Sequence, residues 1–367
     1  MKKPLKKLVA RSSKSTPMPQ APKSNNNYVA APRQLFFSSN KPMKATAKAP
    51  ANIALIKYWG KTDEILRLPQ NSSISMNLDG LFTTTTVDFD EKYISDEIIF
   101  NGEAKSKQAG RIIKHLDLIR KIAKTGLRAK VATSNNFPAA SGIASSASGF
   151  AALTVAACGA LGMNLNEKEL SIIARQGSGS ACRSIPDGFV EWHKGDTSET
   201  SFAESLHPAD YWDIIDIVAI ISDEEKAVSS TAGQTLASAS RFFAPRLENI
   251  ENKIRVIKKN LANRDFRRFG EIIEAEALEL QAIMMTSSPA LIYWQPKTLE
   301  IIKGIHKLRE QGLEAYFTED AGPNLHIFVE NKNRSALIDK LKGFEGIKRI
   351  IACKPGSGTK QVDTHLF

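Results

Sequence analysis

Lys57 and Lys61 stand four residues apart around Tyr58-Trp59-Gly60 in the stretch NIALIKYWGK. Two ammonium groups and a phenol in so short a turn can neutralise and orient an anion, although the same spacing also suits two solvated surface lysines. In GSGSACRS, Gly177 to Ser184, two glycines and two serines come ahead of Arg183. Successive backbone N–H groups in such a loop can form an anion nest, and a guanidinium adds a bidentate charge. A plain flexible turn would be written with the same residues. Asp320 opens Asp-Ala-Gly-Pro-Asn between two apolar runs, where it is either a functional carboxylate or an ordinary turn aspartate.

The stretch NNFPAASGIASSASG, Asn135 to Gly149, contains no lysine, so it is not the G-x-x-x-x-G-K-[ST] phosphate loop. It leads from a strand, through Pro138, into a helix of small and apolar residues. A helix N-terminus presents unpaired N–H groups and the positive end of its dipole, so it can bind phosphate without a lysine. Small side chains admit the phosphate, and Ser145 and Ser146 can add hydroxyl donors. The competing reading makes Ala, Gly and Ser simple spacers where a helix packs tightly on a sheet.

These segments need elements to hold them. SSISMNL, FTTTTVDFD and EIIFNGE are β-rich runs separated by Asp-Gly and a charged loop, which predicts consecutive antiparallel strands. Apolar residues at Ile112, Leu116, Ile119 and Ile122 predict a helix over Arg111 to Thr125. KVATSNN is a strand, the following helix is expected to end at Gly162, and WDIIDIVAIIS is a buried strand. Arg246 to Leu261 and Arg264 to Met285 read as long charged amphipathic helices. A further helix, TLEIIKGIHKLREQG, precedes a strand, turn and strand in EAYFTEDAGPNLHIFVE, with a last helix and strand in ALIDKLKGF and IKRIIACKPGSG. The chain is α+β in both halves. The expected division is a tail over 1–41, a first domain over 42–221 and a second over 222–367.

Composition narrows the possible functions. The net charge is +11, but eleven of the 50 basic residues lie in residues 1–49, which hold no Asp or Glu. The remaining 39 basic residues meet 39 acidic ones, so the body is neutral and lacks the basic footprint of a nucleic-acid module. The tail, rich in Lys, Pro, Ser and Asn, reads as disordered, with a transit peptide as the competing reading. No apolar run approaches the roughly 20 residues that span a bilayer. Cys158, Cys182 and Cys353 show no paired spacing, which suits a reducing, cytoplasmic compartment. The six histidines are scattered, so no residue is assigned as a metal ligand.

Taken together, KYWGK with LPQNSSIS, NNFPAASGIASSASG, GSGSACRSIPDGFVEW and DAGPN resemble the mevalonate diphosphate decarboxylase family of the GHMP kinase superfamily. The likeness runs in order over roughly residues 45–330. It implies a two-domain GHMP kinase-like fold, with a ribosomal protein S5 domain 2-like N-terminal domain and a ferredoxin-like C-terminal domain. The implied reaction uses ATP and Mg²⁺ to phosphorylate the C3 hydroxyl of mevalonate 5-diphosphate. Phosphate and CO₂ then depart to leave isopentenyl diphosphate. The alternatives within the superfamily are a decarboxylase of the 5-monophosphate and another small-molecule kinase. Asp320, Lys57 and Arg183 match the catalytic positions. Tyr58, Trp59, Gly60, Lys61, Ser178, Gly179, Ser180, Ala181, Cys182, Arg183, Ser230 and Thr231 match substrate-contacting ones. Asn136, Pro138, Gly142, Ala144, Ser145 and Ser146 match the ATP loop. The implied partners are the phosphorylated substrate and ATP, with neither nucleic acid nor membrane, and a homodimer is one assembly open to the chain. Three positions depart from the family pattern: Ala139 and Ser141 within FPAAS, and Gln234 after SSTAG. A fourth is Gln108, flanked by Lys107 and Arg111, where eukaryotic members place an arginine toward the diphosphate.

Overall fold

The structure, a computed structural model, describes residues 43–104, 108–137, 145–224, 226 and 228–367. The basic tail and Lys107 lie outside them, as do Pro138, Gly142 and Ala144 of the expected ATP loop. The first half contains β1 (Lys44–Ile56), β2 (Lys61–Asp63), β3 (Leu68–Pro69), β4 (Ser73–Asp90) and β5 (Glu97–Phe100). Next come α1 (Ala109–Ala123), β6 (Arg128–Asn135), α2 (Ser145–Ala160), α3 (Glu167–Gly177), β7 (Phe189–Trp192) and β8 (Ala203–His207). The second half runs β9 (Ile214–Ile220), α4 (Ser230–Gln234), α5 (Phe243–Asn263), α6 (Phe266–Met285) and α7 (Pro296–Glu310). It closes with β10 (Tyr316–Thr318), β11 (Leu325–Glu330), α8 (Arg334–Lys342), β12 (Arg349–Cys353) and β13 (Lys360–Val362).

Both halves mix sheet and helix, as expected. The first sheet runs β13-β1-β4-β6-β5, with β7 also on β4 and β8 on β7. The second runs β10-β11-β9-β12. Two local expectations change. Asp79-Gly80 does not turn the chain: β4 continues through it as one strand of 18 residues, and β1 absorbs the irregularity by a register shift at Pro50/Ala51. The strand over Glu97–Phe100 lies parallel to β6, not antiparallel.

The border expected near Ser222 falls after β9, yet among the described residues β9 pairs only with β11 and β12 of the second sheet. The chain therefore crosses between sheets after β8, and β13 returns to pair with β1 of the first. A run of apolar residues identifies a buried strand but not the sheet that receives it.

One apolar core joins the sheets. Ile53 and Leu55 of β1 and Met76 and Leu78 of β4 pack with Ile214, Val218 and Ile220 of β9 and with α5 and α6 residues such as Ile257 and Phe269. Across this seam the end of β1 faces the β10–β11 turn. The helix α2 is buried nearly all round, from Ala147 to Ala160, which explains its small apolar sequence. It ends at Gly162, whose φ of +64° is the left-handed geometry expected there. The helix α3 begins with a capping box in which Asn166 and Glu169 satisfy each other's backbone N–H groups.

Candidate active site

Lys57 follows β1 directly and is 1% exposed. Its Nζ donates to Asp320 Oδ1 at 3.0 Å and to the Ala54 carbonyl at 2.6 Å. The Asp320 side chain keeps 31% exposure, so the carboxylate is held by a buried cation while still open to a ligand. Burial alone would raise the Asp320 pKa. The Lys57 ammonium beside it, with His326 and Arg183 farther off, outweighs burial and holds it below the ordinary carboxylate range. Asp320 is therefore ionised at neutral pH.

Arg183 reaches this centre from the 3-10 turn Gly179–Ser184. It donates to Ser73 Oγ at 2.8 Å and to Asn52 Oδ1 at 3.3 Å, while its Nε finds no partner among the described residues. Asn52 in turn donates to Ser184 Oγ at 2.8 Å, tying the turn to β1. Desolvation lowers the Arg183 pKa, and the Asp320 charge works against that. A buried guanidinium within electrostatic reach of the Asp320 carboxylate brings positive charge to this centre.

The same turn touches the phosphate-type helix. Ser178 Oγ donates to Ser146 Oγ at 3.3 Å, so the two segments singled out in the sequence meet. The first turn of α2 carries no acidic residue to oppose an anion. Beside it lies a cavity of about 130 Å³ walled by Phe100, Ile112, Val131, Phe150 and Leu153, with Gln108, Arg111, Ser145 and Ser146 also lining it. Asn136 is engaged elsewhere: its side chain donates to the Gly80 carbonyl and accepts from the Phe82 N–H, each at 2.8 Å.

Several expected contact residues also engage their own neighbours. Trp59 is 3% exposed and packs with Phe243, Leu280 and Met284, and Ala181 and Cys182 are fully buried. These three positions can offer only backbone to a ligand. Lys61 does not present a free ammonium, since its Nζ donates to Glu64 Oε2 at 2.5 Å and its side chain is 1% exposed. Tyr58 stacks edge-on against Trp192 at 4.6 Å, and burial pushes its phenol above the ordinary range. Gly60 takes φ +87°, which a side chain would strain. On α4, Ser230 accepts from Lys226 Nζ at 3.4 Å, and Thr231 is exposed.

Gly179 has a different constraint. A Cβ there would come within 2.7 Å of the Tyr58 ring. Gly179→Ala is expected to displace Tyr58 and raise the KM for the phosphorylated substrate about tenfold, with kcat within about threefold, since overpacking costs about 1–3 kcal/mol. Unchanged KM in steady-state kinetics would separate Tyr58 placement from substrate binding.

Two cations escaped the sequence reading. Lys226 lies close enough to Asp320 for the carboxylate to raise its pKa against a larger lowering by burial. Arg67, at φ +52°, donates from Nε to the Gln176 carbonyl at 2.9 Å. Its charge reaches Arg111, whose pKa falls through desolvation and then through Arg67. It also reaches Tyr58 and His115. Neither Arg67 nor Arg111 has an ion pair with a carboxylate among the described residues. Nothing in the spacing around either cation marked it, because each is placed by a loop.

Residues 49–203 match the family described as the diphosphomevalonate decarboxylase-like N-terminal domain, and residues 216–362 match the mevalonate 5-diphosphate decarboxylase C-terminal domain. The diphosphomevalonate decarboxylase of Candida albicans is 33% identical over 88% of this chain and 99% of that protein. The one from Rattus norvegicus is 34% identical over 80% of this chain and 79% of that protein. Among solved structures, mevalonate diphosphate decarboxylase from Staphylococcus aureus superposes with a TM-score of 0.84 at 40% identity, covering 87% of this chain and 98% of that one. A structure described as MDDEF in complex with MVAPP, AMPPCP and magnesium gives a TM-score of 0.82 at 42% identity, covering 88% and 99%.

Proposed function

Since the chain belongs to the diphosphomevalonate decarboxylase family, we propose that Asp320, Lys57 and Arg183 are the residues that carry its reaction. The enzyme catalyses the ATP-dependent decarboxylation of mevalonate 5-diphosphate to isopentenyl diphosphate, with ADP, phosphate and CO₂ as co-products. The observation that supports the residue assignment is the 3.0 Å contact of Lys57 Nζ with Asp320 Oδ1, a buried cation on a half-open carboxylate.

A tertiary hydroxyl is a poor nucleophile and a poor leaving group. Asp320, ionised, orients the C3 hydroxyl and accepts its proton as the phosphoryl group arrives. Lys57 holds that carboxylate ionised and in place. The Arg183 guanidinium, close enough to lower the Asp320 pKa, supplies positive charge for the substrate carboxylate and for the phosphate that leaves with the C3 oxygen. The C3–O bond breaks with its electron pair leaving on the phosphate, while the bond from C2 to the carboxylate breaks to release CO₂ and its electron pair forms the new double bond.

ATP supplies the phosphoryl group. The first turn of α2, with Ser145 and Ser146 and no acidic residue, suits its phosphates, and the apolar cavity beside it suits the nucleoside end. No group of three or more His, Cys, Asp or Glu among the described residues could hold a metal ion. That donor set fits Mg²⁺ bound mainly through phosphate oxygens and water. No helix among the described residues is long and apolar enough to cross a membrane. The three cysteines are free and buried, which favours a cytoplasmic setting.

Arg67 and Arg111 support two substrate phosphates over one. With Gln108 uncharged and Lys61 engaged by Glu64, they are cations among the described residues that have no carboxylate partner and so suit a distal phosphate. The test is ATP-dependent CO₂ release from mevalonate bearing zero, one or two 5-phosphates. The diphosphate is expected to have the highest kcat/KM, and Arg67→Ala to reduce it about tenfold or more, as for one lost charge-assisted contact. A ratio favouring the monophosphate in the parent protein would overturn the two-phosphate assignment. No CO₂ from any of the three would overturn the activity itself.

A further inference from the structure

Glu319 immediately precedes the catalytic carboxylate and is fully buried. Its Oε1 accepts from Trp294 Nε1 at 2.5 Å, while its Oε2 has no partner among the described residues. Gln281 of α6 lies against the same carboxyl. Gln281 donates from Nε2 to the Asp320 carbonyl at 3.4 Å, which leaves its own Oε1 buried and without a donor. Two buried acceptors, each lacking a donor, thus belong to neighbouring side chains beside the catalytic turn. Leaving either unsatisfied costs about 1–3 kcal/mol.

A single proton shared between them would satisfy both. Turning the Gln281 amide round would give Glu319 a donor, but it would set the Gln281 oxygen against the Asp320 carbonyl oxygen. We propose that Glu319 is held as a neutral carboxylic acid whose Oε2–H donates to Gln281 Oε1, and that it serves as a positioning residue for Asp320. The chain of contacts runs Trp294, Glu319, Gln281, Asp320 carbonyl. It fixes the turn that carries the base without bringing a second negative charge to it.

Burial, the largest influence on Glu319, favours the neutral form. Burial pushes Glu319 up to about 8; Trp294, Lys57 and Gln281 oppose the rise, and the Asp320 charge adds to it. Lys57, from the loop after β1, and Asp320, on the same turn, are the charged groups that bear on it. Trp294, ahead of α7, and Gln281, on α6, face it as uncharged polar groups. Ionised Glu319 would compete with Asp320 for Lys57 and raise the Asp320 pKa.

The proposal rests on Asp320 being the base, and its test has one readout that needs no turnover. The parent protein is expected to show an infrared band of a protonated, buried carboxyl at pH 7 that converts to carboxylate near pH 8. Glu319→Gln, or Glu319→Met if the first does not fold, should lack the band. The parent's kcat should fall about tenfold between pH 7 and pH 9, the fraction left protonated one unit above an inflection near 8. Glu319→Gln carries an amide N–H where Oε2–H stood, so its profile should change by less than about twofold over that range. Absence of the band in the parent at pH 7, or alkaline limbs that fall together in parent and Glu319→Gln, would overturn the proposal. A failure to release CO₂ at any pH would count against the functional assignment and leave the infrared result standing.

Discussion

Asp320→Asn is expected to lower turnover about 10²–10⁴-fold, the range for a lost general base, with ATP affinity changed only modestly. The substitution keeps the size of the side chain and an oxygen for Lys57 Nζ, now 3.0 Å from Oδ1. What it removes is the capacity to take the C3 proton and the charge opposite a buried ammonium. Because Lys57 and Arg183 hold Asp320 below the ordinary carboxylate range, the parent's activity should persist into mildly acidic solution. It should decline only as pH falls through that lowered pKa. The control is a folded variant, checked by circular dichroism and nucleotide binding. Turnover within about tenfold of the parent in such a variant would remove Asp320 from the role of base.

That centre was legible in the sequence as residues but not as a place. Lys57 and Asp320 are 263 positions apart and come from different sheets, so spacing could not put them in contact. Only the family likeness joined them. Local features that follow short-range rules were readable: the helix over Ile112 to Ile122, the end of α2 at Gly162, and the β10–β11 turn carrying Asp320. The Asn166/Glu169 capping box that starts α3 was equally available and went unread. Asp-Gly at residues 79–80 misled, because a long strand packed on both faces overrides a weak turn preference. For Lys61 the sequence names a candidate cation but not its partner. Whether an ammonium meets substrate or Glu64 depends on a loop conformation that no periodicity encodes. Glu276 was hidden inside a helix read correctly as charged and amphipathic. A carboxylate on the apolar face of such a pattern looks like an error until its partners are known.

Those partners make Glu276→Gln the substitution expected to damage stability most. Glu276 is fully buried. One carboxylate oxygen accepts from the Lys57 backbone N–H at 3.0 Å and from the equally buried Arg246, and the other accepts from Lys253 Nζ at 2.8 Å. Arg246 also donates to the Lys57 carbonyl at 2.9 Å and to Asn71 Oδ1 at 3.1 Å. The carboxylate and the guanidinium thus grip both sides of the backbone that presents Lys57. Removing one charge leaves the other buried without compensation, which costs about 3–5 kcal/mol. Against a total of about 5–15 kcal/mol, that is a large share. Burial raises the Glu276 pKa, but Arg246, Lys253 and the Lys57 N–H overcome it and hold it below the ordinary value. A carboxylate with a depressed folded pKa stabilises the protein above its unfolded pKa, and that contribution fades as pH falls through the folded one. Urea unfolding should therefore show a gap of about 3 kcal/mol or more between parent and Glu276→Gln at pH 7, and a narrowing gap in acid. A gap under about 1 kcal/mol at pH 7 would be the behaviour of a surface pair, and would mean that this buried cluster does not hold Lys57 in place.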